Sequence, residues 1–242
     1  MVIALVLIAG PALGARDDVM FKRAMTLAQK KKLKSARKIM MDLTRRNPRN
    51  GLYWFNLGNI FYLLADWPRA EDAYYNVILV KSPLAPAAEL YLAKTLMEKG
   101  DVKQAMSYLG NLEQQPLPPG LRKDLETERD EFLERVRKMA VARYRARRND
   151  ETLDLLQTVN RQYPRADHYV LIGMVWLRLA MPNRARQAFR IARDISRETD
   201  TLDEAEQFLT QIREGTWDAD RVFFPYVDLA AGYNSNIFSE AE

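Results

Sequence analysis

Apolar residues recur in this chain at spacings that permit very few folds. Between residues 51 and 83, the key positions are Trp54, Leu57, Gly58, Phe61, Ala70, Tyr74 and Val77. Within each half of this segment, steps of three, four and seven residues place the side chains on one face of an α-helix. The segment is therefore expected to form two helices that pack against each other. The small residues Gly58 and Ala70 mark where these helices cross closely.

Copies of this pattern stand on both sides of the segment, at an offset of about 34 residues. The first copy has Ala24, Leu27, Ala36, Met40, Leu43 and Pro48; the third has Leu92, Ala93, Leu96, Ala105, Leu109 and Leu112; the last has Ile172, Gly173, Trp176, Ala185, Phe189 and Ala192. A weaker fourth copy carries Ala140, Thr152, Leu156, Val159 and Pro164. One helix pair cannot bury its apolar face alone, so the repetition indicates that the pairs stack.

A helix pair with this period resembles the tetratricopeptide repeat (TPR), and the resemblance covers roughly residues 17 to 213. It implies an all-α fold, a right-handed TPR α-α superhelix (solenoid) of about five helix-turn-helix repeats over residues 16–214. A capping helix ends the array, and a short C-terminal β-like segment follows it. Within the second copy, Asp66 is expected to cap the second helix, with Pro68 in its first turn.

The fourth repeat departs from the regular length. After Q-P-L-P-P-G at residues 115–120, no helix-breaking residue occurs until about Arg148, and apolar residues recur at helical spacing. We expect one unusually long first helix in this repeat and a hinge between two sub-arrays near residues 116–120. The last helical stretch has an acidic start and a closing Arg213, which suit the helix dipole of a capping helix.

The TPR resemblance also implies a place for a ligand. The first helices of successive repeats line a concave groove, which here offers aromatic, amide and basic side chains to an extended peptide. The predicted groove residues are Phe55, Asn59, Tyr62, Leu90, Lys94, Met97, Arg137, Tyr144, Arg145, Met174 and Arg178. Some TPR proteins clamp a C-terminal carboxylate with Lys and Asn. Asn59 and Lys94 match that arrangement in part, but the other basic positions do not, so ordinary groove polarity is favoured.

Composition excludes several kinds of catalytic site. The chain has no cysteine and a single histidine, His168, so thiol catalysis, disulfides and multi-histidine metal sites are impossible. His168 is expected at a repeat boundary, and the carboxylates Asp203, Glu204 and Glu206 on a solvated helix face. Phosphate-binding loops and nucleophile motifs are absent from the sequence. We therefore predict that the protein is not an enzyme and uses no cofactor or metal.

Two basic runs interrupt an otherwise mildly basic chain with a net charge of +5. One extends from Arg135 to Arg148, with seven basic residues and no acid; the other is K-K-K-L-K-S-A-R-K at residues 30–38. Neutralisation of nucleic-acid phosphates is one interpretation of the first run, and anionic lipid or an acidic client is another. A solvated helix face balanced by nearby acids is favoured for both runs, and no nucleic-acid partner is expected.

The first fifteen residues are uncharged and mostly apolar. They are too few to span a bilayer, which takes roughly 20 residues. With Ala12 and Gly14 at the −3 and −1 positions, the segment is typical of the apolar part of a secretory signal. Residues 1–15 are interpreted as signal-peptide-like, which places the mature protein outside the cytoplasm. A buried strand or the start of a helix is the alternative.

Near the C-terminus, V-D-L-A-A-G-Y-N-S-N at residues 227–236 changes to a period of two. One face is apolar and the other small or polar, as in the lipid-facing and lumen-facing sides of an outer-membrane barrel strand. The segment is similar to the first strand of outer-membrane proteins in which a periplasmic TPR domain precedes a β-barrel, such as the surface lipoprotein assembly modifiers. Residues 215–242 are thus expected to form a linker and a first barrel strand; packing as a tail on the solenoid is the alternative.

Together these features predict a non-enzymatic protein–protein interaction domain in the bacterial periplasm. It would be the N-terminal TPR arm of an outer-membrane barrel involved in secretion or surface assembly. Its expected partners are a protein or peptide client in the concave groove and, through the C-terminal segment, the outer membrane. The alternative is a free-standing soluble TPR adaptor, either periplasmic or cytoplasmic.

Overall fold

The computed structural model describes residues 15–217, and every regular element in that range is an α-helix. The helices are α1 Ala15–Gln29, α2 Leu33–Arg46, α3 Gly51–Leu63, α4 Trp67–Leu79, α5 Ala85–Lys99, α6 Val102–Glu113, α7 Pro119–Arg145, α8 Asn149–Asn160, α9 Ala166–Arg178, α10 Pro182–Ile195 and α11 Thr199–Glu214. Ten of them follow one another as five pairs, and α11 follows the last pair. The predicted all-α fold of paired helices is confirmed. The signal-like segment, apart from Ala15, and the strand-like segment lie outside the described residues.

Each pair of helices is joined by a short turn with one residue in the left-handed region. These residues are Lys31, Ala65, Gly100, Arg147 and Ala180, with φ between 54° and 82°. Their spacings along the chain are 34, 35, 47 and 33 residues, so three spacings are nearly equal and the one that leads into the fourth repeat is longer. The extra residues lie in α7, which has 27 residues where the other first helices have 13 to 15.

The chain forms two compact units, and the boundary between them falls inside α7. Unit 1 ends at Phe132 and contains α1 to α6 with the first half of α7; unit 2 begins at Leu133 and contains the rest. Pro119 and Gly120, at the end of the predicted hinge, lie in the first turn of α7. The hinge itself stays a prediction.

A glycine facing an aromatic ring sets the distance between paired helices in both units. In unit 1, a Cβ atom added to Gly58 of α3 would lie 2.6 Å from Cε1 of Tyr74 on α4. In unit 2, a Cβ on Gly173 of α9 would lie 2.6 Å from Cε1 and Cζ of Phe189 on α10. Both rings are fully buried. Even a methyl group would force these helices apart or displace a core ring, which explains glycine at both positions.

Helix capping differs from the expectation at Asp66. This residue occupies the N-cap of α4, but its side chain accepts no hydrogen bond from the helix backbone. One carboxylate oxygen instead accepts from Nη1 of Arg69 at 2.9 Å. A side-chain cap is present at Asn50, whose Oδ1 accepts from the backbone N–H groups of Leu52 and Tyr53 at the start of α3. Asp66 therefore occupies the predicted N-cap position, but its carboxylate pairs with Arg69 and provides no side-chain cap.

Candidate functional site

The first helices of successive repeats come together around a cavity in unit 2. The cavity has a volume of about 310 Å³ and lies among the second half of α7, the start of α9 and the start of α11. Its walls are formed by Glu134, Arg137, Val141, Arg165, Asp167, Val170, Leu171, Glu198, Asp200, Thr201 and Glu204. Three apolar residues form one part of the wall, and charged residues form most of the remainder. Such a mixture suits a polar or charged group carried on an apolar stem.

Two arginines in the cavity wall are held by carboxylates. Arg137 donates from Nε and Nη2 to the two carboxylate oxygens of Glu134, at 3.0 and 2.9 Å. Arg165 donates in the same two-pronged way to Asp167, at 3.0 Å for both bonds. Nε of Arg137 also lies 3.9 Å from Oδ2 of Asp167, which links the two pairs. Paired hydrogen bonds of this kind fix both the position and the orientation of a guanidinium.

These interactions keep the two bound carboxylates ionised. Burial raises the pKa of Asp167, but the hydrogen bond from Arg165 and the nearby positive charges outweigh it, so the pKa is lowered overall. The pKa of Glu134 is also lowered, chiefly by the hydrogen bond from Arg137. Each arginine charge is therefore neutralised by a carboxylate of the wall, so the two arginines offer little positive potential to a ligand.

Three further carboxylates in the wall accept no hydrogen bond from an arginine within residues 15–217, although the charge of Glu198 helps to raise the pKa of both Arg137 and Arg165. Glu198 is the N-cap residue of α11 and Asp200 lies in its first turn, where the helix dipole favours negative charge. Glu204 lies one turn further along the helix, is half-buried, and forms no ion pair with any described residue. Burial raises its pKa. With five carboxylates against two guanidiniums, the cavity carries an excess of negative charge.

His168 lies in the first turn of α9, next to Asp167, and is fully buried. Its Nδ1 lies 2.8 Å from Oδ1 of Asn160, the last residue of α8, while its backbone N–H donates to Oδ1 of Asp167 at 3.0 Å. The pKa of His168 is lowered to about 4, chiefly by burial; Asp167 and Glu134 raise it, and the charges of Arg165 and Arg137 lower it. The residue is therefore neutral at pH 7 and connects two neighbouring repeats, which agrees with the expected boundary position.

Six of the predicted groove residues are buried in the structure. Their side chains are 0 to 5% exposed; they are Phe55, Asn59, Leu90, Met97, Tyr144 and Met174. The first helices are enclosed on several sides, and α3 buries eleven of its thirteen residues. Asn59, for example, accepts a hydrogen bond from the hydroxyl of Tyr74 at 2.8 Å. These six residues keep little exposed surface, and their part in peptide binding stays a prediction.

The other predicted groove residues keep some polar surface or take part in contacts between repeats. Tyr62 donates from its hydroxyl to Glu98 at 3.4 Å, and Lys94 forms an ion pair with Glu128. Arg145 is exposed near the end of α7. Arg137 lines the unit 2 cavity and Arg178 stacks on Tyr144. Peptide binding by these five residues stays a prediction.

Sequence reasoning missed most of the cavity wall. It identified Arg137 but not Arg165, Asp167 or Glu198, and it assigned Glu204 to a solvated face. The structure shows Asp203 and Glu206 exposed, as expected, whereas Glu204 turns toward the cavity. One available signal was the pair of charged residues Arg165 and Asp167 flanking the start of α9, since their spacing allows a local ion pair.

The tetratricopeptide-repeat family model matches the sequence directly. Residues 21–86 match the tetratricopeptide repeat. This range extends from the first turns of α1 to the start of α5, so it covers the two pairs whose sequence pattern is clearest. Tetratricopeptide repeats mediate protein–protein interactions, commonly through the concave face of the stacked repeats. No curated protein matches the chain.

Solved tetratricopeptide-repeat structures resemble the chain at low sequence identity. The P58(IPK) TPR domain is 15% identical with a TM-score of 0.46; the match covers 83% of this chain and 56% of that one. YrrB, described as a TPR protein with an unusual peptide-binding site, is 17% identical with a TM-score of 0.42, covering 78% and 90%. The yeast Sti1 TPR2AB domain in complex with pHSP90 is 10% identical with a TM-score of 0.43, covering 84% and 85%.

Two further properties concern the described residues alone. No helix between residues 15 and 217 combines the length and the apolar character needed to cross a membrane. Within the same range, no group of three or more histidine, cysteine or acidic side chains is arranged to hold a metal ion. The carboxylates of the cavity wall are thus not gathered into a metal site.

Proposed function

We propose that this protein is a non-enzymatic protein-interaction domain whose unit 2 cavity receives a lysine or arginine side chain of a client. The observation that carries the proposal is the position of the cavity among α7, α9 and α11, with Glu204 facing it and forming no ion pair with any residue from 15 to 217. A carboxylate removed from water without a partner is destabilised, and a client ammonium or guanidinium would relieve that cost. The two wall arginines cannot do so because Glu134 and Asp167 already bind them.

The size of the cavity supports a side chain rather than a larger ligand. At about 310 Å³, it lies at the lower end of the range for small-molecule sites, which is about 300 to 1,000 Å³. Val141, Val170 and Leu171 can contact the methylene stem of a lysine or arginine while its charge reaches the carboxylates. The remainder of the client would run across the exposed surface of the same helices as an extended segment.

Selection from a library of displayed random peptides tests this function. The wild-type protein should enrich peptides with a basic residue at one fixed position, and Glu204→Gln should lose that enrichment. Glu206→Gln is the matched control, because Glu206 lies on the same helix but is exposed and outside the cavity. Selection of no peptides, or of peptides that bind the Glu204→Gln protein equally well, would contradict the proposal.

We further propose that the protein acts in the periplasm as the arm of an outer-membrane barrel protein involved in secretion or surface assembly. The support comes from the sequence: the signal-like residues 1–15 and the alternating apolar segment at residues 227–236. Separation of cytoplasm, periplasm and outer membrane from cells that make the native product tests the location. Recovery with the outer membrane supports the proposal, whereas a purely cytoplasmic product would favour a free-standing adaptor.

A further inference from the structure

The basic run that leads into α2 is not neutralised in the structure. Residues 30–38 hold six basic side chains and no acid. None of the six forms an ion pair with any residue from 15 to 217, and five of them are exposed; these five are Lys30, Lys31, Lys32, Lys34 and Lys38. Further along the helix, Arg45 is likewise exposed and forms no ion pair within that range. A solvated surface usually intersperses both signs of charge, so this surface is unusual.

The acids nearest to this run are engaged elsewhere. Helix α2 packs against α1 and α3, and α3 has no charged residue. Helix α1 has two acids, of which Asp18 pairs with Lys22 at 2.8 Å. The other, Asp17, lies 3.6 Å from Arg46, and Asp42 of α2 itself pairs with the same guanidinium at 2.7 Å. Within the described part of the chain, the lysines therefore keep their positive charge without a counter-charge.

The exposed side of α2 is a single stripe, which we call the α2 basic face. Its members follow one another at steps of four, three and four residues, which place side chains on one face of a helix. They are Lys34, Lys38, Met41 and Arg45, and all four are exposed. The buried residues of the helix lie on the opposite side; they are Ala36, Met40, Leu43 and Thr44. At a rise of about 1.5 Å per residue, the stripe is about 16 Å long.

The lysines at the start of α2 oppose the helix dipole. Lys32 is the N-cap residue, Lys34 lies in the first turn, and that turn contains no acid. Positive charge is unfavourable at this end of a helix, where the dipole itself is positive. Carboxylates brought by a partner would offset both the lysine charges and the dipole, so this end of the stripe favours an anionic partner.

We propose that the α2 basic face binds an acidic segment of a partner protein. Carboxylates one turn apart on a partner helix are separated by about 6 Å along its axis, which matches the separation of Lys34 and Lys38. Met41 lies between Lys38 and Arg45 on the stripe and is 39% exposed. Its flexible thioether suits an apolar side chain set among those carboxylates. The surface lies in unit 1 and does not use the unit 2 cavity, so it goes beyond the proposed client site.

The composition of the stripe distinguishes a protein from two other anionic partners. A nucleic-acid backbone would attract the cations, but α2 has no aromatic residue on which a base could stack, and phosphates give Met41 no apolar contact. Insertion into a membrane surface needs a wide apolar face, whereas this stripe has one methionine. An acidic protein segment offers both carboxylates and an apolar side chain.

Fluorescence anisotropy with the full chain tests the α2 basic face. The probe is a labelled twelve-residue peptide of four Glu-Glu-Leu units, and its copy has Gln in place of every Glu. The wild-type protein should bind the Glu peptide at least about tenfold more tightly than the Gln copy, and added salt should weaken this binding. Lys34→Gln combined with Lys38→Gln and Arg45→Gln should lower the affinity about tenfold, since each exposed ion pair contributes up to about fivefold.

Matched variants separate this face from general positive charge. Lys81→Gln, Lys103→Gln and Lys123→Gln remove the same number of charges from scattered, exposed positions of unit 1. This triple variant should bind almost as well as the wild type. Met41→Gln should weaken binding about fourfold, which corresponds to one methylene group returned to water. Met181→Gln, at a position 42% exposed in unit 2, should have little effect.

Four results would overturn the proposal. The first is no binding of the Glu peptide, and the second is equal binding of the Gln copy. The third is an equal loss of binding in the variant with scattered lysine substitutions. The fourth is tighter binding of a labelled DNA duplex, or of phosphatidylglycerol vesicles, than of the Glu peptide, when that binding is lost in the triple variant of α2. Circular dichroism of each variant establishes that it is folded, and all the substitutions are at exposed positions.

Discussion

The hydroxyl of Tyr74 on α4 donates a hydrogen bond to Oδ1 of Asn59 on α3, at 2.8 Å. Both side chains are fully buried, and burial raises the pKa of Tyr74 well above its usual value. The same ring fills the space that glycine leaves at position 58. One tyrosine therefore links two helices of unit 1 through both shape and a polar contact.

Removing the Tyr74 hydroxyl should destabilise unit 1. Tyr74→Phe keeps the ring but leaves Oδ1 of Asn59 buried without its donor, at a cost of about 1–3 kcal/mol. Tyr75→Phe is the control, because the neighbouring tyrosine is 54% exposed. Urea unfolding followed by circular dichroism should show a loss of stability for Tyr74→Phe alone. Equal urea midpoints for Tyr74→Phe and Tyr75→Phe would show that the buried hydrogen bond contributes nothing to stability.

Filling either glycine position should also be destabilising. The added methyl of Gly58→Ala or Gly173→Ala would lie 2.6 Å from a buried aromatic carbon, and such overpacking costs about 1–3 kcal/mol. In Gly120→Ala, the new Cβ would contact no heavy atom within 4 Å apart from its chain neighbours and the nearby backbone of its own helix. That control should be neutral, or stabilising by up to about 1 kcal/mol because alanine favours the helix. Thermal unfolding measures all three, and an intact melting temperature in Gly58→Ala would contradict the packing account.

We expect the N-cap residues Asn50 and Asp66 to contribute differently to the free energy of unfolding. Asn50→Ala removes two hydrogen bonds to the first backbone N–H groups of α3 and should cost about 1 kcal/mol. Asp66→Ala removes only an exposed contact with Arg69, so its effect should be within about 0.5 kcal/mol. Chemical unfolding of both variants measures the two losses of stability. A greater loss of stability in Asp66→Ala than in Asn50→Ala would contradict the assignment of Asn50 as the stronger cap.

Mild acid should lower the stability of the protein, because His168 is buried in its neutral form. Its pKa is about 4 in the folded state against an ordinary value of 6.5, so the unfolded chain takes up the proton first as pH falls. The stabilisation is complete above pH 6.5 and is lost progressively toward pH 4, by about 3 kcal/mol in total. Unfolding free energies measured between pH 7 and 5 should fall in the wild type and change less in His168→Gln. Parallel pH profiles would show that His168 does not carry the effect.

Sequence periodicity identified the helix pairs well because close packing restricts which residues can occupy a crossing point. Gly58 and Gly173 recur at equivalent positions since each faces a buried ring, and the longer α7 follows from the absence of breakers after Gly120. The same periodicity did not predict which residues of the first helices are exposed. Helix α3 is apolar nearly all round, so no sequence stripe distinguishes an exposed side from its buried sides, and Phe55 and Asn59 are buried.

The cavity wall was missed for a different reason. Whether a carboxylate faces solvent or a cavity depends on the helices opposite it, and Glu204 stands in the acidic run D-E-A-E at residues 203–206. The approach of α7 and α9 to α11 is what partly buries it. The pattern of charges along one helix does not show which of its side chains lie against a neighbouring repeat.

Calorimetric titration of a selected peptide is the most direct test of the cavity as a client site. The peptide is compared with a copy in which norleucine replaces its single basic residue, which keeps the stem and removes the charge. We predict that the wild-type protein binds the charged peptide at least about tenfold more tightly, and that Glu204→Gln removes most of this difference while Glu206→Gln preserves it. Equal affinity of the wild-type protein for both peptides would contradict the account.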